Sequence, residues 1–376
     1  MTLKDISLRN FRNVESCSVS FSPGINFLVG ENAQGKTNLL EALYLFARGK
    51  SFRGASDAEL IRFGQAGWSA ELTFHDGARD QTLRYLYDGA RRQRFRNGAP
   101  VDKAGEMIGL FRAVLFCPDH LQMIKGSPEG RRNFLNVGLS QIDPEYLARY
   151  AKYQKFLDNR NALLKDAHHG RGFDRFEFFW FCENMSEQAT YIHWHRVEYL
   201  KKIEAHAARI LREISSEREE LTLSYESEII PKGPTYKDLN DAYDWKLAKN
   251  ISRECAAGYS LFGVHRDDVD VKIGGVSARS FASQGQQRSI VLALKLAEGE
   301  VARECCGSYP VFLFDDVLSE LDETRRAYIF KGAEDKQIVV TSCERETYSA
   351  KKTVTVKGGT YVPLSVSGTG GDSQDG

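Results

Sequence analysis

"INFLVGENAQGKTNLLEALYLFA", residues 25–47, joins a short apolar run to a glycine-bounded loop and then to a helix-like stretch. Its middle piece, GENAQGKT from Gly30 to Thr37, matches G-x-x-x-x-G-K-[ST] in the setting that the pattern requires, an apolar strand before it and an amphipathic helix after it. Gly30 and Gly35 let the backbone wrap an anion, while the amides of Glu31, Asn32, Ala33 and Gln34 and the helix N-terminus face its charge. Lys36 reaches the outer phosphates and Thr37 can ligate magnesium. A chance glycine-rich turn would lack both flanks.

"YPVFLFDDVLSELD", residues 309–322, supplies the second half of such a site. Four apolar residues predict a buried strand with Asp315 at its C-terminal end, where a carboxylate can hold magnesium through water. Asp316 beside it is placed to orient or deprotonate an attacking water. Helix capping is the plainer reading of the pair, but it does not call for two acids after a wholly apolar strand. A further apolar strand, KQIVVTS, follows; in related ATPases the residue after such a strand senses the γ-phosphate, which that resemblance would give to Thr341 or Ser342 here.

Between these two halves lies "FASQGQQRSIVLALKLAEGE", residues 281–300, a polar glycine-centred loop that turns into a helix. Ser283 as N-cap explains the serine alone. The order of phosphate loop, inserted lobe, SQGQQ at a helix start, strand with Asp315 and then SELD resembles the ABC ATPase arrangement, whose signature loop is a small-residue variant of S-G-G-Q. That resemblance implies that Ser283, Gly285 and Gln286 meet the γ-phosphate of ATP held on a second subunit. It also implies that Ser319 to Asp322 lie across the dimer interface.

Further stretches narrow the resemblance. LRNFRNV (8–14), DAELIRFG (57–64), FCPDHLQMIKGSPEGRRNFLN (116–136), YQKFLDNRNALLK (153–165) and GVHRDD (263–268), with those already quoted, are similar to the bacterial RecF family over most of residues 1–345. Val264 stands where that family usually has proline, and Asn133 and Asn136 where it has a bulkier residue and an Asp. The fold implied is α/β: an ABC-type ATPase head, a mixed sheet with the phosphate loop, plus an inserted mostly helical lobe without a long coiled coil. The function implied is an ATP-dependent DNA-binding protein of replication and recombinational repair and a weak DNA-dependent ATPase. It would pair through ATP on duplex DNA at gaps or single-strand to double-strand junctions, help load recombinase, support the SOS response and work with RecR- and RecO-type mediators. ATP and Mg2+ are the implied cofactors, with Lys36, Ser283, Asp315 and Asp316 in catalysis and Thr37 and Asp315 at the metal. The resemblance also offers Asp119 or Gln122 as a lobe-joining magnesium contact, and Phe11 and Arg12 near the nucleotide.

The expected division is residues 1–120, an ATPase lobe with an antiparallel β-subdomain; 121–250, a helical lobe; 251–364, the second ATPase lobe; and 365–376, a disordered Gly/Ser-rich tail. Lys plus Arg and Asp plus Glu both total 51, so any surface for nucleic acid must be local. No stretch approaches the ~20 apolar residues of a membrane span, and the seven cysteines are scattered as packing residues. A cytoplasmic protein is expected. A transporter energy subunit would place a histidine after the KQIVVTS strand, and an antiphage ATPase would carry a nuclease lobe.

Two clusters are candidates for DNA contact. On a hairpin over 91–96, Arg92, Arg94 and Arg96 share one face beside Arg91, and Lys125, Arg131 and Arg132 form a second patch. Solvated charge is the alternative for both. His265 to Asp268 read as a salt-bridged turn between lobes in preference to a metal site.

Overall fold

The computed structural model describes residues 1–172, 174–343 and 350–363, so the expected disordered tail lies outside the described residues. Strands β1 (Thr2–Phe11), β2 (Val14–Ser20) and β3 (Ile25–Val29) lead into α1 (Lys36–Arg48). There follow β4 (Trp68–His75), β5 (Asp80–Tyr87), β6 (Arg92–Arg96), β7 (Ala99–Pro100) and β8 (Ala113–Phe116). The middle of the chain holds α2 (Gln122–Lys125), α3 (Pro128–Ile142), α4 (Pro144–His168), α5 (Arg175–Ser215), β9 (Leu221–Glu226), α6 (Tyr236–Lys249) and α7 (Ile251–Ala257). The rest comprises β10 (Asp268–Ile273), β11 (Val276–Ser277), α8 (Ala278–Phe281), α9 (Gln284–Cys306), β12 (Val311–Phe314), α10 (Glu323–Phe330), β13 (Ile338–Ser342), β14 (Lys352–Lys357) and β15 (Thr360–Pro363).

One sheet has the order β15-β14-β3-β13-β12-β8, parallel from β14 to β8 and closed by an antiparallel β15. Its inner strands are apolar runs because both faces are covered. Being parallel, β3, β12, β13 and β8 all end at one edge, and the segments after them carry the phosphate loop, Asp315, Cys343 and Cys117. That edge is where open α/β sheets build their sites.

A second sheet, β2-β1-β4-β5-β6-β7, is antiparallel and shares a core with the first, with α1 packed in that same core. Residues 39–47 of α1 are buried without a break, and Phe46 stacks on Tyr85 at 4.8 Å. The amphipathic helix is therefore covered on its polar side as well, where the buried Glu41 pairs with Arg12.

The helical middle also departs from the sequence pattern. FEFFWFCENM and YIHWHRVEYL form part of one 41-residue helix, α5, about 60 Å long, in a lobe expected to be helical without a long coiled coil. It packs on α4, α6 and α9. Leu221 and Leu223 alternate with exposed neighbours and pair with β10, so the region expected as a helical lobe over 121–250 also holds a strand.

Candidate functional site

The chain leaves β3 at Gly30 and enters α1 through Gly35, which has a φ of 114°. A Cβ on Gly30 would lie 2.2 Å from the Val356 carbonyl oxygen, and one on Gly35 would lie 2.9 Å from Asn13 Oδ1. Glycine is required at both ends of the loop. Between them Ala33 is also left-handed, with φ 63°. The β14–β15 turn supports the loop, since Gly359 N donates to Gln34 O at 2.8 Å and Gly358 N to Gln34 Oε1 at 2.7 Å.

Lys36 is only 5% exposed, and its Nζ donates to the carbonyls of Gly30 and, at 3.0 Å, Glu31. Thr37 Oγ1 donates to Asp315 Oδ1 at 2.9 Å, although the two are 278 positions apart. A hydroxyl and a carboxylate side by side below a phosphate loop are hard oxygen donors, which suits a magnesium ion that keeps several waters. Burial raises the Asp315 carboxyl above its ordinary range, hydrogen bonds from Thr37 and Thr341 oppose that rise, and the neighbouring Asp316 adds to it.

Asp316 has a φ of 51°, uncommon for a residue with a side chain and frequent near functional centres. Its N–H donates to Thr341 Oγ1 at 2.8 Å, while the Thr341 hydroxyl donates to Asp315 Oδ1 at 3.0 Å. Thr341 is 1% exposed and so holds the two acids in place instead of facing a γ-phosphate. Among the described residues after β13, Cys343 faces the loop: its thiol donates to Asn32 Oδ1 at 3.0 Å and lies 3.6 Å from Lys36 Nζ.

Above the loop is a cavity of about 990 Å³ bordered by Arg12, Asn13, Lys36, Thr37, Arg53 and Phe63, among others. Arg12 is fixed by a two-pronged pair with the fully buried Glu41, at 2.9 and 2.7 Å, and Ser51 donates to the same carboxylate at 2.5 Å. Phe63 is entirely exposed in this cavity. Neither Arg53 nor Phe63 was found from the sequence; the available signal was a lone Phe between Arg62 and Gly64 with no strand partner. Phe11 is a correction, because it is fully buried against Trp68 and does not line the cavity. Asp119 and Gln122 border a different pocket, beside Tyr44 and Lys295.

Ser283 does not reach Lys36 within the chain. It caps α9: Gln286 N donates to Ser283 Oγ at 3.2 Å and Ser283 N donates to Gln286 Oε1 at 2.9 Å. The loop borders a separate depression with Gln122, Lys125 and Arg288. A Cβ on Gly285 would meet nothing closer than Arg325 Nη2 at 3.8 Å, so packing within this chain does not call for glycine there.

Three members of the basic clusters, Arg92, Arg131 and Arg132, are engaged within the chain, while Arg91 and Lys125 are exposed. Arg92, Arg94 and Arg96 do share a face, but they lie opposite Tyr87, Tyr85 and Leu83, whose side chains are buried. Arg92 pairs with Asp57, donates to Gly49 O at 2.6 Å and sits over the Trp68 and Tyr85 rings. Arg92→Ala is accordingly expected to lower stability by about 2–3 kcal/mol in denaturant unfolding, since it removes the ring contacts and leaves the partly buried Asp57 carboxylate unpaired. A loss below about 1 kcal/mol would overturn this. Arg131 is also committed, making two bonds to Asp268 at 2.6 and 2.8 Å and one to Met123 O at 3.0 Å, and Arg132 donates to Asp267 O at 2.7 Å.

The His265–Asp268 run is a polar knot. Tyr225 donates to Asp267 at 2.6 Å, and burial pushes that carboxyl up to about 6. Burial pulls His265 down to about 4, so the neutral ring accepts the Tyr153 hydroxyl proton at Nδ1, 2.6 Å away, and donates from Nε2 to Ser260 O at 3.3 Å. Both nitrogens are used. No group of His, Cys, Asp and Glu suited to a metal occurs among the described residues, and no helix among them is long and apolar enough to cross a membrane.

A family model described as RecF/RecN/SMC N terminal domain matches residues 2–359. The chain is 38% identical over 343 residues to the DNA replication and repair protein RecF of Clostridium beijerinckii, covering 91% of each. It is 37% identical over 368 residues to the protein of the same name from Exiguobacterium sp., covering 96% of this chain and 98% of that one. Against a solved structure of the recombination mediator protein RecF-ATP in the RecFOR pathway, the TM-score is 0.90 at 32% identity, with 96% of this chain and 97% of the other covered. The Smc head domain of Pyrococcus furiosus shares the fold alone, with a TM-score of 0.57 at 16% identity over 96% of both chains.

Proposed function

The chain belongs to the RecF family, and from that premise we propose that it is an ATP-dependent DNA-binding protein of replication and recombinational repair, with weak ATPase activity. Residues Gly30 to Thr37 cradle the triphosphate, Lys36 meets its outer phosphates, and Thr37 and Asp315 hold Mg2+ through the hydroxyl and carboxylate already adjacent at 2.9 Å. Asp316 orients or deprotonates the attacking water. Phe63, exposed on the wall of the same cavity, offers a face for the adenine ring. Residues 1–120 and 251–364 act as the two ATPase lobes, and 121–250 as the helical lobe.

One observation carries the paired mechanism: Ser283 and Gly285 stand on a surface away from Lys36, with a glycine that packing inside the chain does not require. A second copy, facing the first, supplies the missing phosphate contact. Two ATP molecules are then sandwiched between two heads, closing them on duplex DNA at a gap or single-strand junction. Slow hydrolysis releases the DNA. RecO- and RecR-type mediators act with it to load recombinase, in support of the SOS response, in the cytoplasm.

The test is light scattering of the Asp316→Asn protein with and without ATP, together with binding to duplex, single-stranded and gapped DNA at two salt concentrations. A dimer only with ATP and a tenfold or greater ATP effect on duplex and gapped DNA are expected. A monomer at every ATP concentration, or binding indifferent to ATP, would refute the clamp.

A further inference from the structure

We infer, resting on the reading that the Ser283 loop completes a site on a second copy, that Arg325 is a positioning residue that holds this loop and the Ser319–Asp322 turn together as one rigid surface. Arg325 lies in α10, outside both loops. Its guanidinium reaches back to α9, with Nε donating to Ser289 Oγ at 2.8 Å and Nη2 to Gly285 O at 3.2 Å. Ser289 is fully buried and its own hydroxyl donates to Gly285 O at 3.1 Å, so the carbonyl of the loop glycine is gripped twice. The third corner of the guanidinium pairs with the Asp322 carboxylate, which also accepts the Arg325 backbone N–H at 2.9 Å as the cap of α10. A second ion pair, Arg288 to Glu320 at 3.5 Å, links the same two segments.

The chemistry explains why an arginine serves here. A planar fork satisfies three acceptors in fixed directions, whereas an ammonium on a flexible stem cannot hold the same geometry. Such an arrangement adds little to global stability, since a pair that is partly exposed, as the 21% exposed Arg325 is, contributes about 0–1 kcal/mol. Its value is in precision: a phosphate-binding constellation must be held to within about 0.5 Å to be productive. The two trans-acting segments are joined in sequence only through α9 and β12, a long route for mutual alignment, and Arg325 shortens it to one side chain.

The experiment uses the full chain in the Asp316→Asn background and reads three quantities: melting temperature, affinity for a fluorescent ATP analogue at protein concentrations too low for pairing, and the ATP-dependent dimer constant. Arg325→Met and Arg325→Lys should each weaken dimerisation at least tenfold, while analogue affinity stays within twofold and melting within a few degrees. Ser289→Ala should weaken pairing less, and the double variant Ser289→Ala/Arg325→Met no more than Arg325→Met alone. Equal pairing by Arg325→Met and its parent, full rescue by lysine, or loss of pairing only in step with lost melting temperature would each overturn the assignment. A parent that stays monomeric with ATP would overturn the paired site itself and this inference with it.

Discussion

Ser283→Arg is expected to weaken ATP-driven pairing by more than about 100-fold, a change of roughly 2.7 kcal/mol, while ATP affinity of the single chain stays within about twofold. Ser283 is an exposed helix cap, and losing it costs about 1 kcal/mol locally, too little to unfold a helix buried along most of its length. The arginine side chain instead occupies the space next to Gly285 through which a phosphate must approach the first amides of α9. The cavity over the phosphate loop takes none of its wall from 283–288, which is why nucleotide affinity should survive. Ser283→Ala is the control: it removes the same cap without filling the space and should weaken pairing only a few-fold. The measurements are light scattering with ATP and titration of a fluorescent analogue at nanomolar protein. Normal pairing by the arginine variant would sink the assignment of this loop to a partner's phosphate.

The features legible in the sequence were those whose physical cause is local. A phosphate loop needs two glycines, a lysine and a hydroxyl between a strand and a helix, all within Ile25–Ala47. A wholly apolar strand ending in an acid predicted where Asp315 would stand, and the 2.9 Å contact with Thr37 agrees. What failed depended on partners far along the chain. The alternation of Arg92, Arg94 and Arg96 was right, yet Arg92 is drawn inward by Asp57 and the Trp68 and Tyr85 rings, partners that lie elsewhere in the chain. Arg131 looked like surface charge because Asp268, its partner, is 137 positions away. Thr341 was placed at the correct strand end and offered, as the alternative to Ser342, for sensing the phosphate, since sequence does not reveal that its hydroxyl is enclosed between Asp315 and Asp316. Phe63 gave no periodic signal, because an exposed aromatic in a turn belongs to no pattern.

Arg160→Met is expected to lower the free energy of unfolding by about 3–5 kcal/mol, the largest stability effect of any change considered. Arg160 and Glu254 are both completely buried and meet at 2.5 Å. The remaining guanidinium donors go to Ser260 Oγ at 2.6 Å and Cys182 Sγ at 3.2 Å, the ring of Phe178 lies 4.8 Å below, and Leu261 N donates to the second Glu254 oxygen at 2.7 Å. Removing the arginine leaves a carboxylate in an apolar site with no counter-charge, and that penalty, more than the lost attraction, sets the size of the effect. The double variant Arg160→Met/Glu254→Leu tests this: with both charges gone it should recover most of the loss, and denaturant unfolding of the four proteins in the cycle measures the coupling. A double variant as unstable as Arg160→Met alone would mean that the pair stabilises by attraction. The cluster joins α4, α5 and α7 to the loop before Val264, and none of its residues borders the cavity over the phosphate loop. ATP-driven pairing should therefore persist in the double variant, and its loss there would show that the charges themselves, and not the stability that they confer, couple the helical region to the nucleotide site.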